Sequence, residues 1–116
     1  MDAKDQIKIL ILEENQSEIK LIESILMDSE IQFESKNAKT ENDFIKHVNR
    51  FRPDIILAGT NLTKYSVHEA LSFLKEQSLL IPFILITGAI PEELAKDYLK
   101  NGVDEYLTKF NLLTLP

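Results

Sequence analysis

Short apolar runs alternate with amphipathic stretches along this chain. Ile7 to Leu12 reads Ile-Lys-Ile-Leu-Ile-Leu, a β-branched run of the kind that forms a strand buried on both faces. Asn15 then stands as a helix cap with a glutamate three positions on, and Ile19, Ile22, Ile25 and Leu26 recur at helical spacing, predicting a helix over 15–28. Ile31, Phe33 and Ser35 alternate with Gln32, Glu34 and Lys36, which predicts a strand with one more exposed face, at a sheet edge. Thr40 caps a second helix with the stripe Phe44, Ile45, Val48 and Phe51, and Pro53 stops it. The third strand follows as Ile55-Ile56-Leu57-Ala58 and ends at Gly59.

The second half repeats the alternation. Ser66-Val67-His68-Glu69 forms a capping box that opens a helix carrying Ala70, Leu71, Phe73 and Leu74. A fourth strand is predicted over Ile81 to Thr87. Pro91 suits the first turn of the next helix, Glu92 and Glu93 suit its dipole, and Leu94, Ala95, Tyr98 and Leu99 form its expected buried stripe. Lys100-Asn101-Gly102 is the stop signal, Glu105 to Thr108 a short fifth strand, and Phe110 to Pro116 a tail.

Strands alternating with helices imply an α/β fold: a parallel sheet covered on both faces. Sheets of this kind place their sites at the C-terminal ends of the strands. At those ends stand Glu13-Glu14, Gly59, Thr87 and Lys109. If the strands lie side by side, two acids, a hydroxyl and an ammonium converge on one pocket, and the middle strand contributes a glycine with no side chain.

With 116 residues and 44% apolar content, one domain spanning 1–116 is expected, with a core that needs no staples. The chain has no cysteine, which removes disulfides and thiolate metal sites. No run approaches the roughly 18 apolar residues of a membrane span. The polar start Met1-Asp2-Ala3-Lys4-Asp5 does not resemble a secretory signal. A cytoplasmic location with no membrane partner is therefore expected. A net charge of −6 disfavours nucleic acid as a partner. His47 and His68 are too few and too far apart for a zinc site.

Four segments together resemble the receiver domain of two-component response regulators. They are Ile9-Leu10-Ile11-Leu12-Glu13-Glu14-Asn15, Pro53-Asp54-Ile55-Ile56-Leu57, Ile84-Leu85-Ile86-Thr87-Gly88-Ala89, and Asn101-Gly102-Val103-Asp104-Glu105-Tyr106-Leu107-Thr108-Lys109. The resemblance covers Ile7 to about Leu115. It implies a doubly wound, five-stranded parallel sheet of order 2-1-3-4-5. It also implies a fifth helix, for which the chain is too short, so that helix is expected to be absent or truncated and the sheet face beside the first helix to be filled by the tail or a second copy of the chain.

The same resemblance assigns roles. Two acids after the first strand hold Mg²⁺ in such domains, and Glu13 and Glu14 fill those positions. The backbone carbonyl of Asn61 would be a further metal ligand. Thr87 and Lys109 map onto the groups that bind the phosphoryl moiety, and Tyr106 onto the switch aromatic. The phospho-accepting aspartate maps onto Gly59. An acyl phosphate needs a carboxylate nucleophile; glycine has none, and Asp54 lies at the opposite end of the strand. Loss of that acid is expected to weaken the Mg²⁺ site, so no cofactor is required, and Lys109 is expected to pair with Glu13 or Glu14.

The expected function is thus a non-enzymatic, atypical receiver acting through protein–protein interaction, with a histidine kinase or another signalling domain as partner. One alternative retains phosphorylation on an unorthodox acceptor or a residual Mg²⁺ site. Another is a flavodoxin-like cofactor binder, but Glu13-Glu14-Asn15-Gln16 would repel a flavin phosphate where such proteins carry a Ser/Thr/Gly-rich loop.

Overall fold

The computed structural model describes residues 6–59, 62–87, 92–100 and 102–108, and the side chains of these apart from 87, 92–95 and 106–108. The strands are β1 (Ile7–Leu12), β2 (Phe33–Ala38), β3 (Ile55–Ala58), β4 (Phe83–Thr87) and β5 (Glu105–Thr108). Between them run α1 (Gln16–Asp28), α2 (Glu41–Arg50), α3 (Val67–Glu76) and α4 (Glu92–Lys100). The sheet is parallel, with β2 at one edge, then β1, β3 and β4 as expected, and β5 alongside β4. The expected fifth helix and the covering tail fall outside the described residues.

The caps follow the sequence signals. Asn15 accepts from the Ser17 and Glu18 N–H groups at the start of α1, and Thr40 accepts from the Asp43 N–H at the start of α2. Ser66 and Glu69 form the reciprocal box at the start of α3. Past α4, Gly102 adopts φ +114°, where a residue with a side chain would be strained, and the chain turns there into β5.

Alternation along the strands splits the core in two. Leu10, Leu12, Ile56, Ala58, Phe83 and Leu85 face α2 and α3, where Phe44, Val48, Val67, Ala70 and Leu74 meet them. Ile9, Ile11, Leu57 and Ile86 face α1, against Ile19, Ile22 and Leu26. Tyr65, in the β3–α3 connection, is buried in the first layer with its ring 5.4 Å from that of Phe44.

Two expectations of burial need correcting. Ile7 is 40% exposed, because it sits at the sheet rim and pairs only with Phe33. Leu99 is 39% exposed, because the inward side of the last turn of α4 is taken by Tyr98, which packs on the α3 layer and stacks on His68 at 5.3 Å. β4 also starts at Phe83 rather than Ile81, and β2 runs on to Ala38.

Candidate functional site

The site lies at the C-terminal ends of β1 and β3. Leu12 pairs with Ala58 across these strands, and the next residues along, Glu13 and Gly59, stand beside one another. Their backbones are fixed from both sides. The Gly59 N–H donates to the Leu12 carbonyl at 3.0 Å, and the Glu13 N–H donates to the Ala38 carbonyl at 3.1 Å. From β2 the Asn37 amide donates to the Ile11 carbonyl at 2.9 Å and to the Glu13 carbonyl at 3.2 Å.

Glu13 is the buried charged residue among the described residues, 7% exposed. Its Oε2 accepts the backbone N–H groups of Glu14 at 2.8 Å and Asn15 at 3.1 Å. These two N–H groups lead into α1, so a carboxylate gains there from both hydrogen bonding and the helix dipole. The rest of the carboxylate reaches over Gly59. A Cβ built on Gly59 would stand 2.9 Å from Glu13 Cδ and 3.4 Å from Oε2, with Oε1 nearer still.

Glu14 turns the other way. Its Oε2 accepts from the Lys64 N–H at 2.7 Å and from the Thr63 N–H, and its Oε1 accepts from the Thr63 hydroxyl at 2.7 Å. The Lys64 N–H, and after it the Thr63 hydroxyl, hold the Glu14 carboxyl below its ordinary range. The residue thereby clamps the β3–α3 connection to the end of β1.

The two carboxylates therefore do not converge in this arrangement. Both Glu14 oxygens and Oε2 of Glu13 are engaged by N–H and O–H donors, and no group of three His, Cys, Asp or Glu among the described residues could hold a metal ion. As they stand, these carboxylates do not fit a Mg²⁺ site, which needs convergent oxygens in near-octahedral geometry. The two side chains expected to share a metal thus point apart, as neighbours at a strand end do, and the third expected ligand, Asn61, lies outside the described residues.

Of the other expected site residues, Thr87 ends β4 opposite Thr108, and Tyr106 lies in β5 opposite Leu85. Asn61 and Lys109 fall outside the described residues, and so does the expected pairing of Lys109 with either glutamate. Asp54 is at the far end of the sheet, where it accepts from the Lys8 N–H at 2.8 Å. Asn37, Thr63 and Lys64 also belong to the site, beyond the residues the sequence points to. An amide-bearing residue late in an edge strand was the available signal for Asn37; a backbone N–H leaves none.

Tyr65 is 2% exposed and its hydroxyl donates to the Glu69 carbonyl at 3.3 Å. Burial first, then Glu41, Glu69 and Glu76, push its pKa up to about 12. Its burial closes it to modification in the folded state. No helix among the described residues is long and apolar enough to cross a membrane.

Comparison with known proteins bears on the fold. Among solved structures, the receiver domain of the Francisella response regulator 1452 superimposes with a TM-score of 0.79 at 18% identity, covering 94% of this chain and 92% of that one. The phosphorylated cyanobacterial phytochrome response regulator RcpA gives 0.76 at 24% identity, covering 94% and 87%. The Mn²⁺-bound form of the response regulator Rcp1 gives 0.76 at 23%, covering 93% and 90%. At these identities the likeness speaks for the fold. No curated protein matches the chain. The family described as the response regulator receiver domain matches residues 9–113. With that match covering most of the chain, from within β1 to beyond α4, the chain belongs to the response regulator receiver domain family.

Proposed function

We propose that this domain is an atypical receiver, with the full sheet order 2-1-3-4-5, that signals by docking a partner protein rather than by accepting a phosphoryl group at the end of β3. One observation carries the reading: the position after β3 is Gly59, and the space above it is filled by the Glu13 carboxylate. A glycine offers no nucleophile for an acyl phosphate. RcpA is phosphorylated and Rcp1 binds Mn²⁺ in their crystals; here a glycine stands after β3 and the two acids are bound to backbone N–H groups and the Thr63 hydroxyl. Thr87, Lys109 and Tyr106 are then the remnant of a phosphoryl pocket and its switch aromatic, and Mg²⁺ is not required.

Receiver domains generally interact with histidine kinases and effector domains, and a partner of that kind in two-component signalling fits this chain. The domain would catalyse no reaction of its own. Its net charge of −6 supports a protein partner over nucleic acid. The test is incubation with acetyl phosphate and Mg²⁺ followed by intact mass. The expected result is an unchanged mass; stoichiometric addition of a phosphoryl group refutes the reading.

A further inference from the structure

Gly59 is required for room, not for backbone freedom. Among the described glycines only Gly102 has a positive φ, so the Gly59 backbone suits any residue. What a side chain would meet is the Glu13 carboxyl group, with Cδ at 2.9 Å from the Cβ position, closer than real Cβ contacts come.

A flexible side-chain end can usually swing clear of such a contact. Glu13 is not in that situation. Its N–H and carbonyl are tied to Ala38 and Asn37, its Oε2 holds two N–H groups, and it is almost wholly buried. Moving the carboxylate means giving up both of those bonds while the group stays out of water, which is unfavourable.

We propose that Glu13 and Gly59 are a matched pair in which the Glu13 carboxylate, delivered from β1, stands permanently in the space of the side chain missing from β3. The pocket then contains its own anion. On the reading that position 59 is the acceptor position, the space of the acceptor side chain is then taken by Glu13 whether or not a phosphodonor or divalent metal is present. The partner would meet a surface that is set by the fold.

A double-mutant cycle on the full chain tests the pairing, using Gly59→Ala, Glu13→Ala and the double variant, read by thermal and urea unfolding. Gly59→Ala is expected to destabilise the wild-type background and to shift the Glu14 and Asn15 amide resonances. In the Glu13→Ala background the same alanine is expected to be neutral or stabilising, since it then costs no contact and restricts the unfolded chain. The coupling should reach about tenfold in the unfolding constant, about 1.4 kcal/mol. Should Gly59→Ala fail to fold, its rescue by Glu13→Ala reads the same coupling. Equal effects of Gly59→Ala in both backgrounds would overturn the pairing, even with a wild type that takes no phosphoryl group. Phosphoryl addition to the wild type would instead overturn the functional reading and leave the cycle intact.

Discussion

Truncating Glu13 to alanine should cost stability by an amount that the hydrogen bonds set. Oε2 accepts two backbone N–H groups, at 2.8 and 3.1 Å, and hydrogen bonds to an ionised partner contribute about 1.5–3 kcal/mol each. Two corrections pull the sum down. Both bonds share one oxygen, and the N–H groups belong to a loop that water can reach once the side chain is gone. Relief of carboxylate burial offsets part of the remainder. A net loss of about 2 kcal/mol follows. With an unfolding entropy of about 2.1 cal/mol/K per residue, a chain of 116 residues loses about 4 °C in Tm per kcal/mol. Glu13→Ala should therefore melt about 8 °C lower.

Glu13→Gln separates charge from shape. The amide oxygen can accept both N–H groups, but without ionic strengthening, so the loss should be about half as large. Circular dichroism melts at neutral pH, supported by urea titration, measure both variants. A Glu13→Ala variant within about 2 °C of wild type would refute the assignment of the two bonds. So would a Glu13→Gln variant as damaged as Glu13→Ala, because the retained acceptor would then count for nothing.

Two further outcomes concern pH. Glu14 has its pKa lowered by the Lys64 and Thr63 donors, so its contribution is present above the ordinary value of 4.5 and is lost as pH falls through the lowered value; Glu14→Gln should flatten that part of the acid unfolding curve, and an unchanged curve would count against the clamp. Tyr65, with its pKa raised from 10.0 to about 12, contributes stability below pH 10 that is lost as pH rises through about 12; phenolate absorbance should show Tyr65 titrating together with unfolding, whereas titration near its ordinary value in the folded state would refute its burial.

The layered fold was legible because one physical signal repeats. Apolar positions spaced by two or by three to four residues can bury only one way, and Ile9 with Ile11 and Ile19 with Ile22 duly face each other across one side of the sheet. Local caps were legible for the same reason: Ser66 and Glu69 need only each other's backbone. The reading failed where a neighbour decides. Leu99 fits a buried stripe by spacing, yet Tyr98 takes the inward place. At the site, Gly59 and the two acids could be located by number. Nothing in the order of residues could tell that one acid would bend over the glycine and the other reach Thr63 and Lys64: the first depends on how the chain turns after β1 toward its own next two N–H groups, the second on donors 49 and 50 residues away.

That division between the acids bears on what the pocket needs. Adjacent carboxylates at a strand end repel one another and ordinarily invite a cation. Here the repulsion is answered from within the chain. Glu13 is met by the N–H groups opening α1, and Glu14 by two N–H groups and a hydroxyl of the β3–α3 connection. Because those donors are part of the chain itself, they cannot dissociate as Mg²⁺ or a phosphoryl group can. A pocket neutralised in this way has less to gain from a divalent ion, and an incoming ion would have to displace hydrogen bonds that also join β1 to α1 and to the β3–α3 connection. The same bonds that satisfy the charges therefore hold the two loops in place.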